Sequence, residues 1–424
     1  MTRSLPRLAV ALALVAATGF AAVAPAAVAK AGPQDRVTEY PLAQFAVPGD
    51  IETGPDGALY LPDGSLSDVW RVTTDGAITS QDVGGTLGSI AFAGGAAWVT
   101  DRGPQNRIVR IAADGTKTPF PVPTRDAFPT DIITGPDGAL WFMEARADKI
   151  GRLTTDGAFT EYPLPTRGTF GGTLTVGPDG AIWFTEQSRD KVGRITTAGE
   201  ITEYPLPAGA LPGTIVSAGG SLWVPLRNLN AVARIDTSGQ VTNQYALATA
   251  DADPFDMARG PDGALWIAQF QAGSVARMAL DGTVTREYAI PSGRPDGLTA
   301  GPDGAIWFTN GSHGLVGKLD FGFNPPLTAE GTTFEVRALR SFVRTVATFR
   351  DGDADARPRD YDAVISWGDG RHSRGRVRRG EDGRFEVRGR HRYRTTGTYT
   401  VRVRIDDEGE GPDTTVQSTA HVRR

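Results

Sequence analysis

Short stretches in which apolar and polar residues alternate, separated by turn-forming residues, run through residues 36–320. The best preserved reads GPDGALWF at residues 135–142, and versions of it return every 38 to 43 residues. Two copies lack the Pro-Asp pair. Self-similarity at this period indicates a repeat architecture, in which neighbouring units cover each other's apolar faces. The aromatic position gives seven copies, at Tyr60, Trp98, Trp141, Trp183, Trp223, Trp266 and Trp307.

One complete unit at residues 131–165 divides into four predicted strands, at 132–134, 139–143, 149–154 and 158–162. Their flanks are β-branched and aromatic, and the pair Asp156-Gly157 is typical of a hairpin turn. Four antiparallel strands in each of seven units predict an all-β, seven-bladed β-propeller over residues 36–320. The tryptophans, one per unit in an apolar strand, are predicted to be core wedges between blades.

The two ends of the repeat region complement each other. The last unit stops after residues 315–319 without a TEYPL strand, whereas an isolated VTEYPL occurs at residues 37–42. We therefore predict that the N-terminal segment supplies the outer strand of the seventh blade. This closure removes an exposed sheet edge.

A second module follows a Pro/Gly-rich linker at residues 321–331. Residues 332–424 alternate at period two, which predicts an immunoglobulin-like β-sandwich. The module resembles the PKD-type domain in its Ala347-Thr348-Phe349, Trp367-Gly368-Asp369-Gly370, His391-Arg392-Tyr393, Gly397-Thr398-Tyr399 and Asp406-Asp407 motifs.

The N-terminal sequence predicts the location of the protein, and the charge composition differs between the two modules. In the 424-residue chain, Arg3 and Arg7 precede an apolar run at 8–28 and a small-residue site at 27–29. This predicts a signal peptide at 1–29 and a secreted protein, with an uncleaved anchor as the alternative, and no transmembrane segment after signal removal. Cysteine is absent, so no disulfide or thiol chemistry is available. Residues 1–326 carry 24 Lys+Arg against 33 Asp+Glu, and residues 327–424 carry 20 against 16.

Carboxylates fall at two places in the repeat that should share one mouth of the propeller. One place precedes the first strand of a unit and the other ends its second strand, and antiparallel strands bring these ends together. An acidic mouth rimmed by arginine could hold a divalent cation or a polar ligand. The alternative is that these carboxylates accept backbone N–H groups or pair with the arginines. The predicted ligand-binding residues of the mouth are Asp50, Asp63, Asp101, Asp131, Glu144, Glu186, Asp256 and Arg294.

The WFTE, KIGR and TEYPLP elements of the unit resemble the streptogramin (virginiamycin B) lyase family, over nearly all of residues 36–320. That resemblance implies opening of a depsipeptide ring at its ester by β-elimination, aided by a divalent metal such as Mg²⁺. It also implies a catalytic His in a Pro-His-Gly-Ile stretch of a late blade, a Glu two residues before it, a Glu ending the following WFTE, and a His one blade earlier. The four corresponding positions here hold Asp296, Arg294, Asn310 and Phe255.

His313 is the one histidine of the propeller region, and it lies in a loop near Asn310 and Asp296. These three residues are the candidate catalytic set if the chain is an enzyme, because a histidine can act as a base near neutral pH. The alternative for His313 is a solvated surface residue.

The arginines of the second module are concentrated at residues 371–394, which contain ten arginines and three acidic residues. Such a strand face can bind polyanions, although a solvated face is the alternative and no nucleic-acid motif accompanies it. Asp351, Asp353, Asp355 and Asp406-Asp407 could bind Ca²⁺ at one end of the sandwich.

The sequence thus favours a secreted, monomeric binding protein for a small molecule or a cell-surface polymer. Its runner-up is a divergent metal-assisted C–O lyase or hydrolase acting at the mouth. A structural repeat protein with a protein partner is a third interpretation.

Overall fold

The computed structural model describes residues 29–30, 36–323, 327–351, 357–380, 384–407 and 414–424. The predicted signal peptide up to residue 28, linker residues 324–326, and Asp353 and Asp355 lie outside these ranges. No helix in the described ranges is long and apolar enough to span a membrane.

Residues 36–320 form the predicted seven-bladed propeller, and every blade is an antiparallel sheet of four chain-ordered strands except where the chain ends meet. The first strands of successive blades contact one another around the central axis. Blades one to three comprise Glu52–Thr53, Leu59–Pro62, Asp68–Val72 and Ile78–Asp82; Leu87–Ala93, Ala96–Asp101, Arg107–Ile111 and Lys117–Pro121; and Pro129–Thr134, Leu140–Glu144, Lys149–Leu153 and Phe159–Pro163.

The remaining blades follow the same order along the chain. Blades four to six comprise Leu174–Val176, Ile182–Glu186, Lys191–Ile195 and Ile201–Pro205; Val216–Ala218, Ser221–Leu226, Ala231–Ile235 and Val241–Ala246; and Pro254–Arg259, Leu265–Gln269, Ser274–Met278 and Val284–Ala289. A short strand, Ala29–Lys30, pairs in parallel with the outer strand of blade six.

Blade seven confirms the predicted closure. It consists of Leu298–Ala300, Ile306–Asn310 and Leu315–Asp320, and its outer strand is the N-terminal segment Arg36–Pro41. Val37 pairs with Leu319, and Tyr40 pairs with Val316 and stacks on Trp307 with ring centroids 5.8 Å apart.

The recurring motif is explained by a contact set shared by the five blades that carry GPDG, whereas Trp98 and Trp223 of the other two donate to backbone carbonyls. In blade three, Asp137 Oδ1 accepts a hydrogen bond from Trp141 Nε1 at 3.0 Å, and its Oδ2 accepts one from Arg152 Nε at 2.7 Å. Trp141 is fully buried and stacks on the outer-strand Tyr162 at 5.7 Å. The GPDG, WF, KIGR and TEYP elements thus meet at one point, and the predicted role of the tryptophans as core wedges is confirmed.

The C-terminal unit is an eight-stranded sheet folded over one hydrophobic core, as the predicted sandwich architecture requires. One strand, His372–Arg379, passes from one layer to the other: its first half pairs with Tyr361–Ser366 and its second half with Phe385–His391. Trp367 is fully buried in this core, and Tyr393 Oη donates to its carbonyl at 2.9 Å. The other strands are Thr328–Gly331, Thr333–Arg337, Phe342–Arg350, Gly397–Asp407 and Thr414–Arg423, and the 3₁₀ helices of the described chain are Gln187–Arg189, Arg227–Leu229 and Pro358–Asp360.

Candidate functional site: the propeller mouth

A cavity of about 550 Å³ opens at one end of the propeller axis, and all seven blades contribute to its wall. Its lining includes four of the predicted carboxylates, Asp50, Asp131, Asp256 and Asp296, together with Arg102. Each of these carboxylates lies at the start of a blade's first strand. Because the blades form a closed ring, residues at this equivalent position of successive blades surround the axis. We call this cavity the mouth.

The side chains just before the first strands bond each blade to the next. Asp131 Oδ2 accepts a hydrogen bond from Leu174 N at 2.6 Å, and Asp256 Oδ2 accepts one from Leu298 N at 2.6 Å. Ser89 Oγ lies 2.7 Å from Asp50 Oδ2 and 3.1 Å from Asp131 Oδ1. Thr173 Oγ1 accepts a hydrogen bond from Ile215 N, and the Thr214 hydroxyl donates one to Asp256 Oδ1. We call Asp50, Ser89, Asp131, Thr173, Thr214 and Asp256 the belt.

The belt carboxyl groups have raised pKa values. Burial, together with repulsion from Asp50, raises the pKa of Asp131 to about 7, and the same two causes raise that of Asp256 to about 7. Burial also raises the pKa of Asp50. The belt therefore loses its remaining protons, and gains negative charge, as pH rises through neutrality.

Glu52 adds a fourth carboxyl group that the sequence analysis missed. It follows Asp50 by two residues on the first strand of blade one, where the other blades carry uncharged residues. Protein atoms crowd around its side chain, which still reaches solvent, and this partial desolvation together with repulsion from Asp50, Asp131 and Asp256 raises its pKa to about 8. An acidic residue unique among the seven equivalent positions was the signal that could have revealed it.

The predicted carboxylates that end the second strands are not part of the mouth's lining. Asp63 is fully buried, and the N–H groups of Leu66, Ser65 and Trp70 outweigh the effect of burial and lower its pKa. Asp101 is equally buried and pairs with Arg107 Nε at 2.9 Å. These two residues organise the loops around them.

Glu144 and Glu186 occupy equivalent buried sites in blades three and four, and their carboxyl oxygens have no hydrogen-bond partner among the residues that the structure describes. Burial and the neighbouring charge of Glu161 raise the pKa of Glu144 to about 8, and burial with Glu203 does the same for Glu186. Both side chains are consequently protonated at neutral pH.

The candidate catalytic residues are held by the loops of blade seven. Asp296 lines the mouth, and its Oδ2 accepts a hydrogen bond from Gly311 N at 2.6 Å. Asn310 is fully buried, with its amide donating to Ser292 Oγ at 2.8 Å. His313 is exposed, and its Nδ1 lies 3.2 Å from Asn310 Oδ1. The structure thus joins His313 to Asn310, and neither residue is among those that line the mouth.

Apolar groups complete the wall of the mouth. Val47 and Phe255 line it and are 47% and 38% exposed. The Arg227 guanidinium lies 4.6 Å from the centre of the Phe255 ring and pairs with Asp253 at 2.7 Å. Predicted Arg294 lies outside the lining, with its guanidinium 5.6 Å from the Phe270 ring centre.

The mouth does not fit a divalent metal. Within the described ranges, no three His, Cys, Asp or Glu side chains converge closely enough to hold an ion. The carboxylate oxygens of Asp131 and Asp256 are already engaged by N–H and hydroxyl groups of neighbouring blades. A metal site would require oxygens that point together at one centre.

Comparison with known proteins agrees with this architecture. The model of the virginiamycin B lyase family matches residues 84–325. A streptogramin B lyase structure is 31% identical and covers 68% of this chain and 97% of its own, with a TM-score of 0.64. Virginiamycin B lyase from Staphylococcus aureus is 30% identical and covers 67% of this chain and 99% of its own, with a TM-score of 0.63. No curated protein matches the chain.

The chain belongs to the virginiamycin B lyase family. A further structure of the staphylococcal lyase is a catalytically inactive histidine-to-alanine variant with quinupristin, 30% identical to this chain over 67% of it, with a TM-score of 0.62. A histidine is therefore needed for activity in that virginiamycin B lyase.

This member of the virginiamycin B lyase family places other groups where the sequence resemblance implies the catalytic residues. Asp296 and Phe255 stand in for histidines, and both line the mouth. Arg294 and Asn310 stand in for glutamates, and Asn310 is bonded to the loop that carries Ser292 and Gly293. The family's fold is thus present with a different set of side chains at these four positions.

Proposed function

We propose that the chain is a ligand-binding member of the virginiamycin B lyase family that does not open depsipeptide rings. The observation that carries this proposal is the replacement of all four implied catalytic residues, in a mouth that keeps its cavity. Proton abstraction next to a carbonyl needs a base with free access to that proton. Asp296, at the implied histidine position, has one oxygen committed to Gly311 N.

The mouth best suits a small molecule with a cationic group and an apolar part. Asp50, Asp131 and Asp256 line the mouth and provide negative charge that increases as pH rises through about 7, and Val47 and Phe255 provide apolar contact. A bound cation favours the ionised carboxylates, so affinity rises as pH rises through about 7.

The runner-up function is a divergent C–O lyase or hydrolase. It is supported by the pKa values of Asp131 and Asp256, which at about 7 suit a general base near neutral pH. Against it, each of these carboxylates accepts hydrogen bonds from a belt hydroxyl and from a backbone N–H of the next blade.

Incubation with quinupristin distinguishes the two functions. Because elimination leaves the mass unchanged, ring opening is followed by chromatography and by the NMR signal of the new alkene. The staphylococcal lyase is the positive control, and we expect no ring-opened product from this chain. Turnover that Asp131→Asn or Asp256→Asn abolishes, with the fold intact, would instead support the enzyme.

We also propose that the protein acts outside the cytoplasm, as Arg3, Arg7 and the apolar run at 8–28 suggest. The mature protein isolated from its source should then begin at Lys30 on N-terminal sequencing. A mature chain that begins at Met1 in the cytoplasm would contradict this.

A further inference from the structure

The C-terminal unit carries an outward face of arginines that is independent of the propeller mouth. Residues alternate along its strands His372–Arg379 and Phe385–His391, so that Val377 and Val387 enter the core while their neighbours point outward. Residues 376–379 and Phe385–His391 pair within one layer, and we call their outward residues the arginine face. They are Arg376, Arg378, Glu386, Arg388 and Arg390.

Like charges stand directly opposite each other on this face. The register pairs Arg376 with Arg388 across the two strands. Side chains in such positions lie about 5 Å apart, and like charges there destabilise a sheet. Neither arginine forms an ion pair within the part of the chain that the structure describes. A natural sequence that keeps this unfavourable pair carries a surface suited to an anionic partner.

The arginine face continues onto an adjacent strand of the same layer. Arg390 is opposite Val343 on strand Phe342–Arg350. Val343 is 49% exposed, so an aliphatic side chain lies beside the guanidinium groups. All basic residues from 327 to 424 are arginines. Arginine presents a planar fork that binds carboxylates through two parallel hydrogen bonds, unlike lysine.

We propose that the arginine face binds an acidic polysaccharide, a linear polymer of carboxylate-bearing sugars. Successive outward arginines of one strand are about 7 Å apart, and Glu386 interrupts them opposite Arg378. The density of positive charge along this face is low compared with the density of negative charge on duplex DNA, which carries one charge per about 1.7 Å of axis. The outward positions of both strands lack Phe, Tyr and Trp, the platforms on which single-stranded bases stack.

Polygalacturonate tests the proposal with the full-length protein. Fully methyl-esterified polygalacturonate is its uncharged control, and duplex DNA and oligo(dT) are the competing polyanions. We expect the charged polymer to bind more tightly than all three at the same salt concentration, with a log affinity that falls linearly with log salt.

The variant Arg376→Glu separates binding from folding. It replaces a like-charge pair with an opposite-charge pair facing Arg388, so the melting temperature of the C-terminal unit should rise by about 2–4 °C. Polygalacturonate affinity should fall about tenfold or more, and the salt slope should become shallower by about one to two. Arg125→Glu makes the same charge change at a propeller side chain that is 94% exposed, and it should leave both quantities unchanged.

Three results would overturn the proposal. They are equal binding of the esterified and charged polymers, tighter binding of either nucleic acid, and undiminished binding by Arg376→Glu. If that variant does not fold, Arg376→Gln combined with Arg388→Gln removes both charges without reversing either, and undiminished polygalacturonate binding by this pair counts equally against it.

Discussion

Glu144 shows how burial changes the chemistry of a single carboxyl group. Beside it, Glu161 bonds Lys149 Nζ at 2.7 Å and Thr124 N at 2.9 Å, so Lys149 is engaged by the neighbouring carboxylate. Burial and the Glu161 charge then raise the pKa of Glu144 to about 8. Between the value near 4.5 of an unfolded chain and 8, the folded protein holds a proton that the unfolded chain has lost.

Replacing Glu144 with Gln should therefore remove part of the pH dependence of stability. A raised carboxyl pKa gives stability that is full below about pH 4.5 and is lost as pH rises to about 8, at roughly 1.4 kcal/mol per pH unit. Glutamine mimics the protonated acid and does not titrate. We expect Glu144→Gln to match the wild type near pH 4.5 and to exceed its free energy of unfolding by about 4 kcal/mol at pH 8, measured by urea unfolding.

Glu161→Gln is the matched control, and its expected effect on the free energy of unfolding has the opposite sign. Hydrogen bonds from Lys149 and Thr124 outweigh burial and lower the pKa of Glu161, so its contribution is present at neutral pH and is lost in acid. This variant should lose about 1–3 kcal/mol at pH 7, because Lys149 is left without its partner. Equal effects of the two substitutions at pH 8 would contradict the assigned protonation states.

At the scale of the blade, the fold could be predicted from the sequence because the contacts that determine it lie within one repeat unit. Asp137, Trp141 and Arg152 meet within one four-stranded unit, and Gly151 must be a glycine because a Cβ there would lie 2.1 Å from the Phe142 ring. The motif therefore predicts strand number and order. The predicted strand ends differ by up to three residues, since the first strand of blade three extends back to Pro129.

The contacts between blades were not predictable in the same way. Asp131 bonds Leu174 N and Thr124 bonds Glu161, over 43 and 37 residues of sequence respectively. Such bonds depend on the angle at which two blades pack, which no repeat pattern records. For this reason the repeat position of Glu144 predicted that it lines the mouth, whereas the structure buries its side chain within the blade.

The closing strand is the element on which the ring depends. Removal of residues 1–42 should leave Leu315–Asp320 as an open edge and expose Trp307, which stacks on Tyr40. We expect the melting temperature of the propeller to fall by about 10 °C and the protein to associate, as measured by calorimetry and light scattering.

A chain that begins at residue 36 keeps the closing strand and serves as the control. It should melt like the full-length protein, apart from a contribution of the short strand Ala29–Lys30 to blade six. If removal of residues 1–42 changes neither melting nor mass, the seventh blade does not need its N-terminal strand.

The whole molecule contains two kinds of core. Residues of the C-terminal core run from Leu327 to Val422, and those of the propeller clusters from Val37 to Phe321. The sequence predicted this division from the linker and from the change of charge between the two parts. It could not predict the ligand of either part, since recognition depends on side chains brought together across several blades or strands.

These two cores should unfold in separate transitions that respond differently to pH. The described carboxyl groups with pKa values raised to about 7 or 8 all belong to the propeller, and they are Glu52, Asp131, Glu144, Glu186 and Asp256. Their raised values mean that the propeller loses stability as pH rises toward 8. Calorimetry of the full chain should show one transition that falls by about 5–10 °C between pH 6 and pH 8.5, and a second that moves by less than about 2 °C.

A chain that ends at residue 323 should keep only the pH-sensitive transition. Two transitions that shift together, or one that cannot be divided by this truncation, would mean that the two cores unfold as a single cooperative unit.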